Sequence, residues 1–228
     1  MIALAASRIM LGDRAVLHDI EFSATAGSLV ALCGPNGAGK STLLRALAGL
    51  LPGVPARAPK AVAYLPQGAR CAWGLTVAEV AALGRLPHGD RAPAPIARAL
   101  RLCDLEALRS ARVDRISGGQ ARRAMLARVL ATEAQTLLLD EPTADLDPAA
   151  AHAIMALLRR TAQAGATVIV VLHALDLARD YADRMLVLRD GRIVADATPG
   201  AALPAAAAAF GLPFGLDPAA RLLPPQAP

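Results

Sequence analysis

The stretch LVALCGPNGAGKSTLLRALAGL, residues 29–50, decides the fold. Its first five residues are an unbroken apolar run bounded by a glycine turn, the pattern of a strand buried on both faces. GPNGAGKS, residues 34–41, then fits GxxxxGK[ST]. From Lys40 onward the apolar positions recur at helical spacing, ending at Gly49 with Pro52 just beyond as a stop. Strand, glycine-rich loop and helix in this order are the context in which the motif binds phosphate. Glycines let the backbone wrap closely around phosphate oxygens, while loop N–H groups and the helix N-terminus supply positive potential. Lys40 can reach terminal phosphates and the Ser41 hydroxyl can hold magnesium. The bland alternative is a glycine-rich turn without a ligand. Lysine usage argues against it: of 24 basic residues only Lys40 and Lys60 are lysines, so a lysine retained here has a specific purpose.

Working outward, short apolar strands are expected at 2–9 and 16–22, and another at AVAYL, residues 61–65, which stops at Pro66 and Gln67. Residues 68–116 read as a helical, arginine-rich insertion with a proline-rich joint at Pro93 and Pro95. Thr76 and Glu79 have capping-box spacing at its first helix, with Leu75 and Val80 as the hydrophobic staple. From Ser117 the pattern continues as a helix to about Ala131, a strand TLLLD, a helix from Pro148, a strand TVIVVL, a helix from Leu175, and a strand pair around Asp190-Gly191. Strands alternating with helices predict an α/β fold with a mainly parallel sheet covered on both faces. The chain reads as one domain, with 1–67 and 117–228 forming the core and 68–116 a helical subdomain.

Two further motifs carry chemistry. TLLLDE ends an apolar strand on Asp140 and Glu141, at the carboxyl end of a parallel sheet, where ligands bind in such folds. Because neighbouring strand residues face opposite ways, one carboxylate can anchor magnesium while the other polarises a water as general base. ISGGQ, residues 116–120, contains an S-x-x-Q capping box formed by Ser117 and Gln120. Capping leaves Gly118 and Gly119 unexplained, since each costs about 1 kcal/mol relative to Ala in a helix. Bare backbone at a helix N-terminus suits an anion.

Composition narrows the class. The net charge of +5 admits nucleic acid as a partner, yet the arginines are scattered and aromatics make up 3% of the chain, so a solvated basic surface is expected and no nucleic acid. Cys33, Cys71 and Cys103 show no CxxC spacing, which suggests neither a metal knuckle nor a disulfide framework and fits a reducing compartment. The N-terminal residues do not read as a signal peptide. The uncharged stretch 197–216 is broken by Pro199, Pro204 and Pro213, so no membrane span is expected there.

Taken together, these blocks resemble the ATP-binding cassette (ABC) family, whose LSGGQ signature is matched here with Ile116 in the Leu position. The resemblance extends over nearly the whole chain and implies a P-loop NTPase core with an N-terminal antiparallel β subdomain. It implies ATP and Mg2+ as ligands, with Glu141, His173 and Gln67 as catalytic residues. The nucleotide would be held by Gly34, Pro35, Asn36, Gly37, Ala38, Gly39, Lys40, Ser41 and Thr42, with Asp140. The metal would be held by Ser41, Gln67 and Asp140. Gln67 corresponds to the Q-loop residue, His173 to the switch histidine and ADLDP, residues 144–148, to the D-loop containing Asp147, which also reads as an N-cap before Pro148. In this family Ser117, Gly118, Gly119 and Gln120 of one subunit face the P-loop of another, so a homodimer closing on ATP is implied.

WGLTVAEVAALGRLPH, residues 73–88, with YLPQ before it and VVLHALDLA after, is similar to ATPases of importers for iron-siderophores, haem and cobalamin. That resemblance implies transmembrane permease subunits, an extracytoplasmic substrate-binding protein and a peripheral position on the cytoplasmic face of the inner membrane. ATPases of other metal-ion importers or exporters, and soluble ABC ATPases, are the alternatives. Two departures stand out. Only LLPGVPARAPKAVA separates Gly49 from Tyr64, which predicts a shortened β arm, and Leu11 stands where relatives often place an aromatic against adenine.

Overall fold

In the computed structural model, which describes residues 1–55, 57–58, 60–71 and 74–212, β3 (Leu29–Cys33) is buried at every position. It has that character because it lies inside a six-stranded sheet of order β4-β5-β6-β3-β7-β8. The partners are β4 (Val62–Leu65), β5 (Thr136–Leu139), β6 (Thr167–Val171), β7 (Arg184–Arg189) and β8 (Arg192–Ala197). Pairing is parallel from β4 through β7, and β8 closes the edge antiparallel to β7. The β7–β8 turn has both central residues left-handed, Asp190 at φ 49° and Gly191 at φ 73°, as its Asp-Gly sequence predicts. A separate antiparallel pair, β1 (Ile2–Leu11) with β2 (Arg14–Ala24), forms the β subdomain. Both strands run further than the expected 2–9 and 16–22. No strand lies between Leu51 and Lys60 among the described residues, in keeping with the shortened arm.

Two apolar layers sandwich the sheet. On one side α1 (Lys40–Leu47) and the β1–β2 pair bury Leu17, Ile20, Leu43, Leu44 and Leu47 against Val30 and Leu32. On the other, Leu29, Ala31, Leu137 and Leu139 meet α4 (Gly118–Ala131) and α5 (Pro148–Gln163). Adjacent residues of β3 thus feed opposite layers, as strand alternation requires. α6 (Leu175–Tyr181) follows β6. α7 (Pro199–Ala209), which the sequence reading did not anticipate, packs against β7 and β8 through Ala202, Ala206 and Ala207. The sequence reading weighs the prolines there only against a membrane span. Pro199 occupies the first turn, where a missing N–H costs nothing, and the helix tolerates Pro204 inside it. Among the described residues no helix is long and apolar enough to cross a membrane. Pro213 and the remainder of the 197–216 stretch lie outside the described residues.

The helical insertion contains α2 (Val77–Ala82), a 3-10 turn over Leu83–His88 and α3 (Pro93–Leu102). The Thr76/Glu79 capping box forms in full. Pro93 and Pro95, expected as a joint, instead open α3, because proline fits a helix's first turn. Trp73, at the head of the importer-like phrase, lies outside the described residues. Arg85 fastens the insertion to the core: its guanidinium donates to Asp90 at 2.9 Å, to Glu133 at 3.0 Å and to the Ala131 carbonyl at 3.2 Å. The adjoining Gly84 lets the two backbones meet, since a Cβ there would sit 2.0 Å from the Arg128 carbonyl oxygen. Gly84→Ala is therefore expected to destabilise the protein by about 1–3 kcal/mol, the usual cost of overpacking. Chemical denaturation measures this, and a loss below about 0.5 kcal/mol would mean the contact yields freely.

Candidate active site

The carboxyl ends of β3, β5 and β6 are adjacent in the sheet, with β6 in the middle, and each ends on a candidate residue. The loop after β3 begins at Gly34, whose φ of 143° and close approach to the Leu188 carbonyl (2.1 Å from a built Cβ) admit only glycine. It continues through Pro35, Asn36, Gly37, Ala38 and Gly39 into α1, so Lys40, Ser41 and Thr42 start a helix. Lys40 is 6% exposed, and its ammonium donates to the carbonyls of Gly34 at 2.7 Å and Pro35 at 2.8 Å. Burial lowers its pKa, opposed by the nearby charges of Glu141 and Asp140. Cys33, immediately before the loop, is pushed up to about 12 by burial and acts as an inert apolar residue.

Asp140 still donates its N–H to Leu65 across the ladder, but Glu141 sits at φ 50°. The two carboxylates therefore diverge through a left-handed turn, not through the strand alternation that the sequence suggested. Asp140 is 1% exposed, and burial raises its pKa against hydrogen bonds from Ser41 and Tyr64 and the charge of Lys40. One of its oxygens, Oδ1, is buried without a hydrogen-bond partner among the described residues. A desolvated carboxylate oxygen beside a serine hydroxyl is a hard-oxygen pair that fits Mg2+. Glu141 turns the other way and meets His173, with Oε1 and Nε2 2.7 Å apart. A carboxylate held by an imidazole can polarise water as a general base. Gln67 lies exposed in the turn after β4, two residues beyond the Leu65–Leu139 pairing. Sequence reasoning missed Tyr64, whose hydroxyl donates to Asp140 Oδ2 at 3.5 Å. No signal along the chain marks it, because the contact depends on the register of β4 beside β5.

The ISGGQ segment stands elsewhere. A cleft of about 370 Å³ beside α4 is lined by Cys71, Gly118, Arg122, Asp145 and Leu146 among others, and by no residue of the 34–42 loop. Ser117 and Gln120 form the complete capping box: Gln120 N–H donates to Ser117 Oγ at 3.2 Å and Ser117 N–H to Gln120 Oε1 at 2.9 Å. Nothing among the described residues requires the glycines between them. A Cβ on Gly118 would meet nothing within 4 Å, and one on Gly119 only Leu146 at 3.7 Å. Asp147 caps α5 by accepting from Ala150 N–H at 2.9 Å. Leu11, at the end of β1 beside the hairpin turn, is 43% exposed.

The profile of the ABC transporter family matches residues 17–144, from β2 through both carboxylates. The chain belongs to the ABC transporter family. It is 43% identical to a hemin import ATP-binding protein of Pseudomonas putida over 90% of this chain and 89% of that one. A protein of the same name from Nocardia farcinica is also 43% identical, over 83% of this chain and 73% of that one. The structure of an ATP-binding subunit of an ABC transporter superposes with a TM-score of 0.75 at 27% identity, covering 92% and 93%. This ABC protein is thus an ATPase whose hydrolysis of ATP powers transport.

Within the cassette the unexplained glycines give a test. Replacing Gly by Ala in a helix gains up to about 1 kcal/mol, and no clash opposes it at Gly118. Gly118→Ala is expected to leave thermal stability unchanged or raised while lowering ATP turnover at least about tenfold. Unchanged turnover would reduce ISGGQ to a helix cap.

Proposed function

We propose that this chain is the ATP-hydrolysing subunit of an importer for iron chelates, with haem the favoured cargo. The single observation that carries the catalytic part is the Glu141–His173 pair, standing at the sheet's carboxyl end with buried Lys40 and Asp140 beside it. The names of the relatives at 43% identity support the haem reading. The loop residues Gly34 to Thr42 wrap the phosphates, and Lys40 moves from loop carbonyls to phosphate oxygens. Ser41, Asp140 and Gln67 hold Mg2+, which supplies charge neutralisation on the phosphates. Glu141 takes the proton of the attacking water while His173 holds its carboxylate and faces the terminal phosphate.

Ser117, Gly118, Gly119 and Gln120 complete the site of a second copy, so ATP closes a homodimer, and Asp147 lies near that interface while capping its own helix. The open space around both glycines supports this reading. The core 1–67 and 117–228 binds nucleotide, while the 68–116 subdomain passes motion to the permease subunits. An apolar groove of about 400 Å³ between them, lined by Leu50, Tyr64, Leu83, Leu86 and Pro87, supports that route. Leu50 and Leu86 are 56% and 66% exposed there, so a short apolar segment of the permease is the fitting occupant. A peripheral position on the cytoplasmic membrane face follows, with a substrate-binding protein on the opposite side.

Two measurements test this. Glu141→Gln is expected to keep ATP binding but cut turnover at least about a hundredfold, the lower end of general-base contributions, with a closed dimer accumulating. Lys40→Ala should weaken nucleotide binding itself. Turnover at the wild-type rate in Glu141→Gln would remove the general base. Mixing Lys40→Ala with Gly119→Asp chains should restore part of the activity, because each mixed dimer keeps one undamaged site. No recovery in proven heterodimers would exclude the shared site.

A further inference from the structure

Asp140 is the most buried carboxylate of the site, and Ser41 and Tyr64 both hydrogen-bond it. Among the described residues Oδ1 has no hydrogen-bond partner, and Oδ2 has the Tyr64 hydroxyl at 3.5 Å. Tyr64 itself belongs to two places. Its hydroxyl reaches inward to Asp140, and its residue lines the exposed groove with Leu50, Leu83 and Leu86. β4 fixes this geometry, because Tyr64 pairs with Leu138 on the neighbouring strand, two residues before Asp140. Phenylalanine would fill the same groove and the same apolar layer, so packing alone does not call for the hydroxyl. A buried carboxylate with a free oxygen is costly unless something orients it, and groups that hydrogen-bond a metal-binding carboxylate set its direction.

We propose that Tyr64 is a positioning residue for the metal carboxylate: its hydroxyl holds Asp140 Oδ2 so that Oδ1 faces the cation, and its ring makes the groove the surface from which that alignment can be altered. The metal assignment rests on the reading of Asp140 given above. The linkage to the groove adds a route from a docked partner to the cation that passes through one side chain. Movement of Tyr64 by an occupant of the groove would then turn the carboxylate.

The test uses the whole chain and reads metal binding, not turnover. Mn2+ binding to the protein in the presence of ADP, followed by electron paramagnetic resonance, should weaken by about three- to tenfold in Tyr64→Phe, the range for losing one hydrogen bond of ordinary strength, in keeping with its 3.5 Å length. ADP affinity measured in EDTA should stay within about twofold of wild type. An unchanged Mn2+ midpoint would overturn the proposal. Equal weakening with and without metal would also overturn it, by showing a general loss of the nucleotide site. Asp140→Asn serves as the reference: if it too leaves Mn2+ binding unchanged, the metal assignment itself has failed, and the positioning role with it.

A second measurement keeps Tyr64 intact. The chain has two tyrosines, so tyrosine labelled with 13C at the hydroxyl-bearing carbon gives two resonances, assigned with Tyr181→Phe. Adding Mg2+ to the ADP-bound protein should shift the Tyr64 signal, with Tyr181, whose hydroxyl faces His152 at 3.0 Å, as the internal reference. A Tyr64 signal that does not move with Mg2+ would overturn the proposal.

Discussion

One buried lysine surrounded by acidic groups organises the site. Lys40 and Asp140 are both nearly inaccessible, and burial opposes the charged form of each. Isolated charges at such depth are expensive, so they persist here because each lies in the other's field, with Glu141 nearby and with carbonyls and hydroxyls around them. The strand order makes this possible. β3 delivers the lysine and β5 the carboxylates, while β6, between them, brings His173 within 2.7 Å of Glu141. A change in strand order would leave a buried charge without its counterpart.

The same arrangement separates what the chain completes alone from what it presents outward. Lys40, Asp140, Glu141 and His173 are assembled inside one chain. Ser117 to Gln120 are also rigid, since both ends of their capping box are made, yet they display two glycines to open space. Bare backbone held in a fixed helix turn supports the proposed contact with a second copy. Between these two regions, Arg85 ties the helical insertion to the end of α4 through Glu133 and the Ala131 carbonyl.

Much of this was legible in the linear chain because local rules determine it. The strand, loop and helix of residues 29–50 follow from apolar runs, glycines and a stop at Gly49. The two capping boxes, the Asp147 N-cap and the Asp190-Gly191 hairpin follow from side chains that act on backbone groups within three residues. The family likeness rests on the same short blocks, and the matching profile and relatives bear it out. Where reading failed, the proline-rich segment at Pro93 and Pro95 was taken as a joint, although it opens α3, where proline is favourable.

The sequence by itself therefore determined the elements, the phosphate loop and the identity of the charged residues, since each depends on interactions spanning a few positions. Only the tertiary structure decided which of them meet. It set His173 against Glu141 across 32 positions, put Tyr64 on Asp140 across 76, and turned Glu141 away from Asp140 at φ 50°. It also closed Gly84 onto Arg128 and left the ISGGQ glycines facing outward. Such contacts depend on strand order and register, which the apolar pattern of a buried parallel sheet does not encode: when every position of a strand is buried, as in β3, β5 and β6, nothing along the chain says which neighbour it will take.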